Sequence, residues 1–540
     1  MTDLQQEGLR ERRGLLARAS VVGAGTLVSR FLGLGRDMVL AAIFDRDATD
    51  AWWVAFTIPN SLRQLLGEGA VSSAVVPILS EKLAKEGDAP AQEFFARVRG
   101  ASFAALCVAS ALGVVFARPL TELFAGGYRD RPGELERTAM LTRWVFPYLL
   151  CAGTAALGMA ALNAKRKFAV ASYAPGLLNI GLIAAALALP ASLAARGHDP
   201  ALALPIGALA GGVLQVMAQA PALRAIGFAS WPQFVVDDEV RKVFRRIAPL
   251  TFGIGVYSID LVISRRFLSG LGTGAQSYFS WAMRICDFPQ GIFVMALSTA
   301  ALPSLSTLAA RGATREVATT WAHSMGLALF VALPASAALV VLGEPIVVAL
   351  FERGAFDARA AHETARALVW QGGAVWTVAA VRQTIPALYA LGDTRSPVVV
   401  SALDLVAFIA LAVTLRSPMG HAGISAAVAC SSAVQMVLLL VALRRRMGTI
   451  CANVLARSAV RTLGASLLAS AAGWGAARST LHAAKALDEV APVARLVPGV
   501  AGLVIFSITF LLASRMLGSH ELEEISSALG RTLTRRSKLT

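Results

Sequence analysis

Fourteen apolar stretches, each long enough to cross a bilayer, constrain this chain more than any other feature. A membrane-spanning helix takes about 20 apolar residues. Stretches of that kind run over 16–44, 50–80, 97–117, 138–162, 169–195, 201–223, 247–270, 275–308, 318–343, 361–391, 397–415, 420–443, 458–477 and 496–516. They are rich in Ala and Leu and lack the alternation of a membrane barrel, so the sequence predicts helices rather than strands. Hydrophobic residues make up 56% of the 540 and charged residues only 16%, against roughly 25% charged in soluble domains. A disordered chain, a fibrous repeat and an ordinary cytosolic enzyme are thereby excluded. Several stretches are over-long and hold Gly, Pro or charge, which predicts kinked or interrupted helices.

An even number of crossings places both termini on one side. Basic residues fall on alternate loops: Arg10, Arg12, Arg13 and Arg18 at the start, then Lys82 and Lys85, Lys165 to Lys167, Arg241 to Arg246, Arg311 and Arg315, Arg444 to Arg446, and Arg535, Arg536 and Lys538 in the tail. The other loops hold roughly half as many, so both termini are expected to be cytoplasmic. The first span contains Arg30, Arg36 and Asp37 and is followed by no small-x-small cleavage site, which predicts a retained helix rather than a signal peptide. Residues 517–540 read as a short basic amphipathic helix on the cytoplasmic surface. The five cysteines are scattered and odd in number, the pattern of buried thiols rather than of a disulfide framework or metal site.

An internal repeat sets the architecture. Ala74-Val75-Val76-Pro77-Ile78-Leu79-Ser80 recurs as Ala300-Ala301-Leu302-Pro303-Ser304-Leu305-Ser306, a shift of 226 residues, and Ala161-Leu162-Asn163-Ala164 recurs as Ala387-Leu388-Tyr389-Ala390 at the same shift. That offset covers six helices, so the copies share an orientation, as in parallel-repeat transporters. The expected fold is an all-α polytopic membrane protein of 14 transmembrane helices: two pseudo-symmetric six-helix lobes plus two extra C-terminal helices. The expected divisions are a cytoplasmic segment 1–15, an N-lobe 16–223, a linker 224–246, a C-lobe 247–443, the extra helices within 444–516, and the tail 517–540. Two lobes around a central cavity suit alternating access.

The net charge of +16 is unusual for so apolar a chain. Part of it is loop charge; the rest lies inside the spans, where ionisable groups are expensive and face a cavity or one another. Arg30, Arg36, Asp37, Asp50, Arg63 and Glu68 crowd the first two spans, Arg284 and Asp287 lie in the eighth, and Arg382 in the tenth. Arg30 and Asp37, seven apart, share a helix face, with Arg36 roughly 120° away. Arg284 and Asp287 have the i, i+3 spacing of an ion pair. Arg30, Arg36, Arg63 and Arg284 together predict a cationic, water-filled cavity, since the guanidinium fork binds phosphate through two parallel hydrogen bonds and stays charged; taken singly, each could be a snorkelling or paired structural residue. Asp260 and Asp404 are candidates for a cation or proton site, or for structural pairing with Arg265 or Arg266. The segment Gly270-Leu271-Gly272-Thr273-Gly274 reads as a loop, since no strand precedes it. No Walker motif, zinc-ligand pair or nucleophile elbow occurs, and no resident metal or cofactor is expected.

Ser29-Arg30 through Arg36-Asp37, Thr49-Asp50-Ala51-Trp52-Trp53-Val54-Ala55-Phe56, Ile58-Pro59-Asn60 and Glu68-Gly69-Ala70 closely resemble the start of the bacterial lipid II flippase family MurJ, also called MviN. Phe146-Pro147-Tyr148, Ala174-Pro175 with Leu178-Asn179, Gly211-Gly212-Val213-Leu214-Gln215, Phe288-Pro289-Gln290-Gly291 and Asp393-Thr394-Arg395-Ser396-Pro397 extend the resemblance over about 16–446. It implies a member of the multidrug/oligosaccharidyl-lipid/polysaccharide exporter superfamily, with the last two helices forming a groove for a polyprenyl tail. It carries a cavity role to Arg30, Arg36, Arg63 and Arg284, places Asp37, Asp50 and Glu68 at matching acidic positions, and puts Arg382 where a relative has lysine. Asp37, Asp50, Glu68, Asp287 and Arg382 are therefore expected as gating or charge partners. Where some relatives use a helix 7 acid for sodium, this chain has Ser264 beside Arg265, and Asp404 falls about a turn early in helix 11.

The expected activity is transfer of lipid II from the cytoplasmic to the periplasmic leaflet of the inner membrane, by a monomer, without covalent chemistry, coupled to the membrane potential or a monovalent cation. A flippase for another polyprenyl-linked glycan, a multidrug exporter of the same superfamily and a non-transporting membrane scaffold are the alternatives. No soluble domain concentrates basic charge, which disfavours nucleic acid as a partner.

Overall fold

The structure is a computed structural model that describes the backbone of residues 3–64, 70–486 and 495–527, with side chains described there except at 3–22, 70–73, 246–258, 292 and 484–486. Every regular element among the described residues is helical. Contacts between residues divide the chain into two compact units that meet at Gln276/Ser277.

The first unit holds α1 (Asp3–Ile43), α2 (Arg46–Arg63), α3 (Ala70–Lys85), α4 (Asp88–Val115), α5 (Ala117–Phe124), α6 (Glu134–Val145), α7 (Tyr148–Ala164), α8 (Phe168–Tyr173), α9 (Gly176–Ala188), α10 (Pro190–Ala195), α11 (Ala203–Ala225) and α12 (Asp238–Ser269). Capping aspartates start helices where polar loops meet apolar runs. Asp45 accepts the Ala48 N–H at 2.7 Å to open α2, and Asp237 accepts the Val240 N–H at 2.8 Å to open α12; an N-cap of this kind satisfies one of the orphan amides of the first turn. Pro147 separates α6 from α7 and Pro175 separates α8 from α9, because proline has no N–H to give the preceding turn. Val240 and Val243 of α12 are buried in one cluster with Val75 and Leu79 of α3, Phe94 and Phe95 of α4, and Leu157 of α7. That burial holds α12 in the first unit. The α9–α11 crossing is made by glycine. A Cβ on Gly181 would lie 2.5 Å from the Gly211 nitrogen, so only small residues let these backbones approach, the usual device of helix pairs in lipid.

α13 (Ala275–Pro289) straddles the division. The second unit continues with a π-turn at Gln290–Val294, then α14 (Met295–Ala310), α15 (Thr314–Val341), α16 (Gly343–Phe351), α17 (Ala358–Gly373), α18 (Val375–Ala390), α19 (Arg395–Met419), α20 (His421–Met447), α21 (Ala452–Ala486) and α22 (Leu496–Met516). Its order repeats that of the first unit: α3 with Pro77 answers α14 with Pro303, the α6–α7 pair answers α17–α18, and α11 answers α20. Trp281, Phe351 and Phe356 pack with ring centroids 5.0 to 6.0 Å apart. α21 and α22 pair closely through Gly473 and Gly502, where a Cβ on Gly473 would lie 2.9 Å from the Gly502 carbonyl oxygen.

Within the described residues, each of the fourteen apolar stretches falls on one helix or on consecutive helices. Among the described residues, seven helices are long and apolar enough to cross a membrane by themselves. The other stretches are broken or charge-bearing: α2 carries Arg46, Asp47, Asp50 and Arg63, and α9 ends after 13 residues. The beginning of the C-terminal tail, helical over 520–527, is acidic rather than basic. Glu521 accepts hydrogen bonds from the Ser458 hydroxyl of α21 and from Ser519, and Glu524 pairs with His323 of α15 at 3.1 Å. The basic residues Arg531, Arg535, Arg536 and Lys538 lie outside the described residues.

Candidate substrate site

The charged motif of α1 is folded inward. Arg36 is buried, and its Nε and Nη2 both donate to Oδ1 of Asp37, at 2.8 and 2.6 Å. Its Nη1 donates to the Asn179 side-chain oxygen of α9 at 3.0 Å, and the Asn179 amide in turn donates to the Ser29 carbonyl at 3.2 Å. Asp37 is 0% exposed. One carboxylate and one amide thus hold Arg36 in a fixed orientation, across helices 143 residues apart in the chain. Heptad spacing puts Arg30 and Asp37 on one face of α1, and the Asp37 carboxylate also takes two hydrogen bonds from its chain neighbour Arg36, whose flexible stem reaches it.

Arg63, at the end of α2, donates from Nε to the Asn60 side-chain oxygen at 3.0 Å. With Ser29, Tyr148, Asn179, Gln215 and Gln219 it lines a cavity of about 170 Å³ inside the first unit. Asn179, the acceptor of Arg36, therefore lines the same cavity as Arg63. Arg30 is half-buried one residue from Ser29.

Asp50 lies elsewhere. It is 0% exposed, and its Oδ2 accepts the Gly274 N–H at 2.7 Å. Gly274 closes the 270–274 loop, which the sequence predicts as a loop and which here fastens the α12–α13 corner to α2. Beside it Arg265, 3% exposed, donates to the Gln276 side-chain oxygen at 2.9 Å and lies 5.9 Å from the centre of the Trp53 ring; the Gln276 amide returns a hydrogen bond to the Arg265 carbonyl at 2.7 Å. Ser264 donates to the Asp260 carbonyl at 2.9 Å, and the Asp260 side chain is half-buried. Glu68 lies outside the described residues.

In the second unit Arg284 and Asp287 form an ion pair at 3.8 Å, both partly exposed. Arg382 is half-buried on α18, and its carbonyl accepts the Ser298 hydroxyl at 2.9 Å. Asp404 is half-buried on α19, beside Ser431 of α20. The interior of this unit is tied by neutral groups: Gln371 to Ser425 at 2.9 Å, Ser324 to Gln383 at 3.0 Å, and Thr377 to Ser432 at 2.8 Å. No group of three or more metal-ligating side chains occurs among the described residues.

Two aspartates at helix ends show ordinary carboxylate tuning. Burial pushes the Asp199 carboxyl up, but the Arg137 guanidinium at 2.6 Å and the Ala201 N–H hold it below the usual range. At Asp393 the Ser396 N–H, opposed by burial, acts with the Ser396 hydroxyl and Arg446 to hold the carboxyl low. The Asp393-Thr394-Arg395-Ser396-Pro397 motif is therefore a helix-opening clamp for α19. Sequence reasoning passed over Asn179, Gln215, Gln219 and Gln276 as site residues. Neutral amides raise no alarm in an apolar helix, and only their placement reveals them.

A repeated all-helical fold with interrupted spans and buried arginines defines a polytopic membrane transporter. Comparison with known proteins is consistent with this. A solved structure described as the lipid II flippase MurJ in an inward closed conformation superposes with a TM-score of 0.71 at 21% identity, covering 92% of this chain and 99% of that one. An inward-facing multidrug resistance MATE family transporter of the MOP superfamily superposes at 0.67 with 13% identity, over 78% of this chain and 95% of that one. These likenesses concern the fold. The family model described as lipid II flippase MurJ matches residues 40–490. A probable lipid II flippase MurJ of Bdellovibrio bacteriovorus is 31% identical over 85% of this chain and 87% of that relative. The lipid II flippase MurJ of Burkholderia cenocepacia is 31% identical over 80% and 84%. The chain belongs to the MurJ family of lipid II flippases.

Proposed function

We propose that this chain is a lipid II flippase, a transporter rather than an enzyme, embedded as a multi-pass protein in the bacterial inner membrane with both termini in the cytoplasm. The observation that carries the reading is the first unit's cavity, lined by Arg63 and by Asn179, which in turn holds Arg36. Arginines held by packing and by fixed acceptors are preorganised for a pyrophosphate, because their orientation is set before the anion arrives. In this reading Arg30, Arg36 and Arg63 of the first unit and Arg284 of the second meet the pyrophosphate-sugar head, which enters from the cytoplasm. The repeat units then move as bodies to reopen the cavity outward, while the polyprenyl tail stays in lipid along α21 and α22. Asp37, Asp287 and Arg382 act as charge partners, and Asp50 as a fastener of the α12–α13 corner. The protein works as a monomer and takes no nucleic acid. Drive comes from the membrane potential, which supplies about 2.3 kcal/mol per charge per 100 mV, or from a monovalent cation.

The test is depletion in cells without a second flippase. Surface-accessible lipid II should fall while the cytoplasmic precursor accumulates, and normal surface lipid II overturns the assignment. Arg63→Ala, as the only copy, should insert normally and fail to sustain growth. Growth of four separate alanine variants at Arg30, Arg36, Arg63 and Arg284 sinks the cavity mechanism while leaving the depletion result standing.

A further inference from the structure

A second crevice in the first unit is not used by that mechanism. It lies where α4, α7 and α11 meet the start of the loop after α11, and has a volume of about 130 Å³. A single water needs only about 10–15 Å³ of such space, so the crevice has room for a phosphate-sized group. Its polar lining is Arg99, Thr154, Gln219 and Arg224, and its apolar lining includes Phe95 and Leu223. No acid lines it.

Gln219 is the decisive residue. It is 1% exposed, and neither its amide nitrogen nor its amide oxygen has a hydrogen-bond partner. Buried amides are nearly always paired, and an orphan marks a group that expects something more than the protein supplies. The fold makes room for it: a Cβ on Gly158 of α7 would lie 2.3 Å from the Gln219 side-chain oxygen. Above it Arg99 is half-buried and donates from Nη1 to the Ser230 carbonyl at 3.1 Å, which pins its stem over the crevice. Arg224 stands exposed at the mouth. Donors therefore exceed acceptors, and the surplus is cationic.

Location narrows the ligand. Arg99 sits three turns into α4 (Asp88–Val115), a helix long and apolar enough to cross a membrane. Val213, Leu214 and Met217, within a turn of the lining residue Val216 on α11, are exposed and apolar, so an apolar surface adjoins the crevice while its floor is polar. Gln219 and Ala155 also line the Arg63 cavity, so the crevice shares a wall with the candidate substrate site. We propose that the α4–α7–α11 crevice binds a phosphate ester oxyanion, presented by a lipid headgroup at the cytoplasmic side, through Arg99, Gln219 and Arg224. Occupancy completes the hydrogen bonds of Gln219 and braces the wall that carries Asn179 and Gln215.

The experiment uses the purified full chain in nanodiscs of phosphatidylcholine, with or without phosphatidic acid, read by native mass spectrometry. In parallel, inorganic phosphate is titrated against the protein in detergent and read by thermal shift. Wild type should retain phosphatidic acid over phosphatidylcholine. Arg99→Gln and Gln219→Leu should each lower that retention roughly tenfold, the loss of about one charge-assisted hydrogen bond. The exposed Arg224→Gln should lower it less while eluting as wild type, which guards against misfolding of the buried variants. A phosphate-induced shift that disappears in Arg99→Gln, with no lipid retained, supports the anion site and assigns it a soluble source. Retention unchanged across all three variants, or a Gln219→Leu protein that melts higher and holds as much lipid, overturns the proposal.

Discussion

The two units repeat one order of helices but solve the problem of buried polarity differently. Among the described residues, the buried ionisable side chains of the first unit include Arg36, Asp37, Asp50, Glu134 and Arg265, whereas those of the second include Asp393 and His421. The second unit ties its interior with Gln371, Gln383, Ser324, Ser425, Thr377 and Ser432. Neutral pairs avoid most of the desolvation cost that a buried ion must recover from its partner. In the first unit Asp50 and Arg265 fasten α2, α12 and α13, and Arg36 is joined through Asn179 to the lining of the Arg63 cavity.

The contrast can be broken most sharply at Asp37. Asp37→Ala leaves Arg36 buried without its carboxylate and should cost about 3–5 kcal/mol, read as a lowered melting temperature in detergent. The double variant Arg36→Met with Asp37→Leu should recover much of the stability but not transport. If Asp37→Ala melts as wild type, the carboxylate does not hold Arg36 in its fixed orientation. Gln371→Leu in the second unit strips a partner from the Ser425 hydroxyl and the Phe279 carbonyl. It should cost about 1–3 kcal/mol; a loss as large as that at Asp37 would erase the distinction between the units. Asp50→Ala orphans the Gly274 N–H at a similar cost, about 1–3 kcal/mol, while Asp50→Asn keeps an acceptor and should lie closer to wild type in the same melt.

The smallest effect belongs to the clamp at Asp393. Asp393→Ala should cost about 1 kcal/mol, the ordinary value of a helix-opening cap. Because the folded carboxyl is held below its unfolded value of about 3.9, its contribution is complete above that pH and is lost as pH falls through the lower folded value. Asp199 behaves with the same sign. Wild type should therefore lose stability on acidification below about pH 4, and Asp393→Ala should lose less over that window. Parallel acid melting curves for the two proteins would contradict this.

Much of the fold was legible in the residues themselves. The Pro77 and Pro303 copies, each inside a helix, announced the repeat, while Pro147 and Pro175 stand at helix breaks. The Arg284–Asp287 pair followed from spacing alone, because i, i+3 neighbours on a helix meet whatever surrounds them. The candidate site was legible only in part. Arginine in an apolar span is an anomaly that composition exposes, so Arg36 and Arg63 could be singled out. Asp37 was visible as a charge partner, but the neutral amide acceptors were not. Asn179 lies 143 residues from Arg36, and nothing in Leu178-Asn179 says which helix it faces. Arg265 was visible as a cation, but its position over Trp53 and against Gln276 depends on how α12 returns to the first unit.

The sequence by itself determined that this chain spans a membrane many times, in two copies of one pattern, with cations where lipid would exclude them. Those conclusions rest on local quantities: apolar length, loop charge and the solvation cost of an ion, none of which depends on which helices touch. Only the tertiary structure decided which arginine each acid serves, which glutamine is left without a partner, and which unit α12 joins. Such pairings arise when distant helices close to within 3 Å, and the energies that select them are set by the whole packed unit.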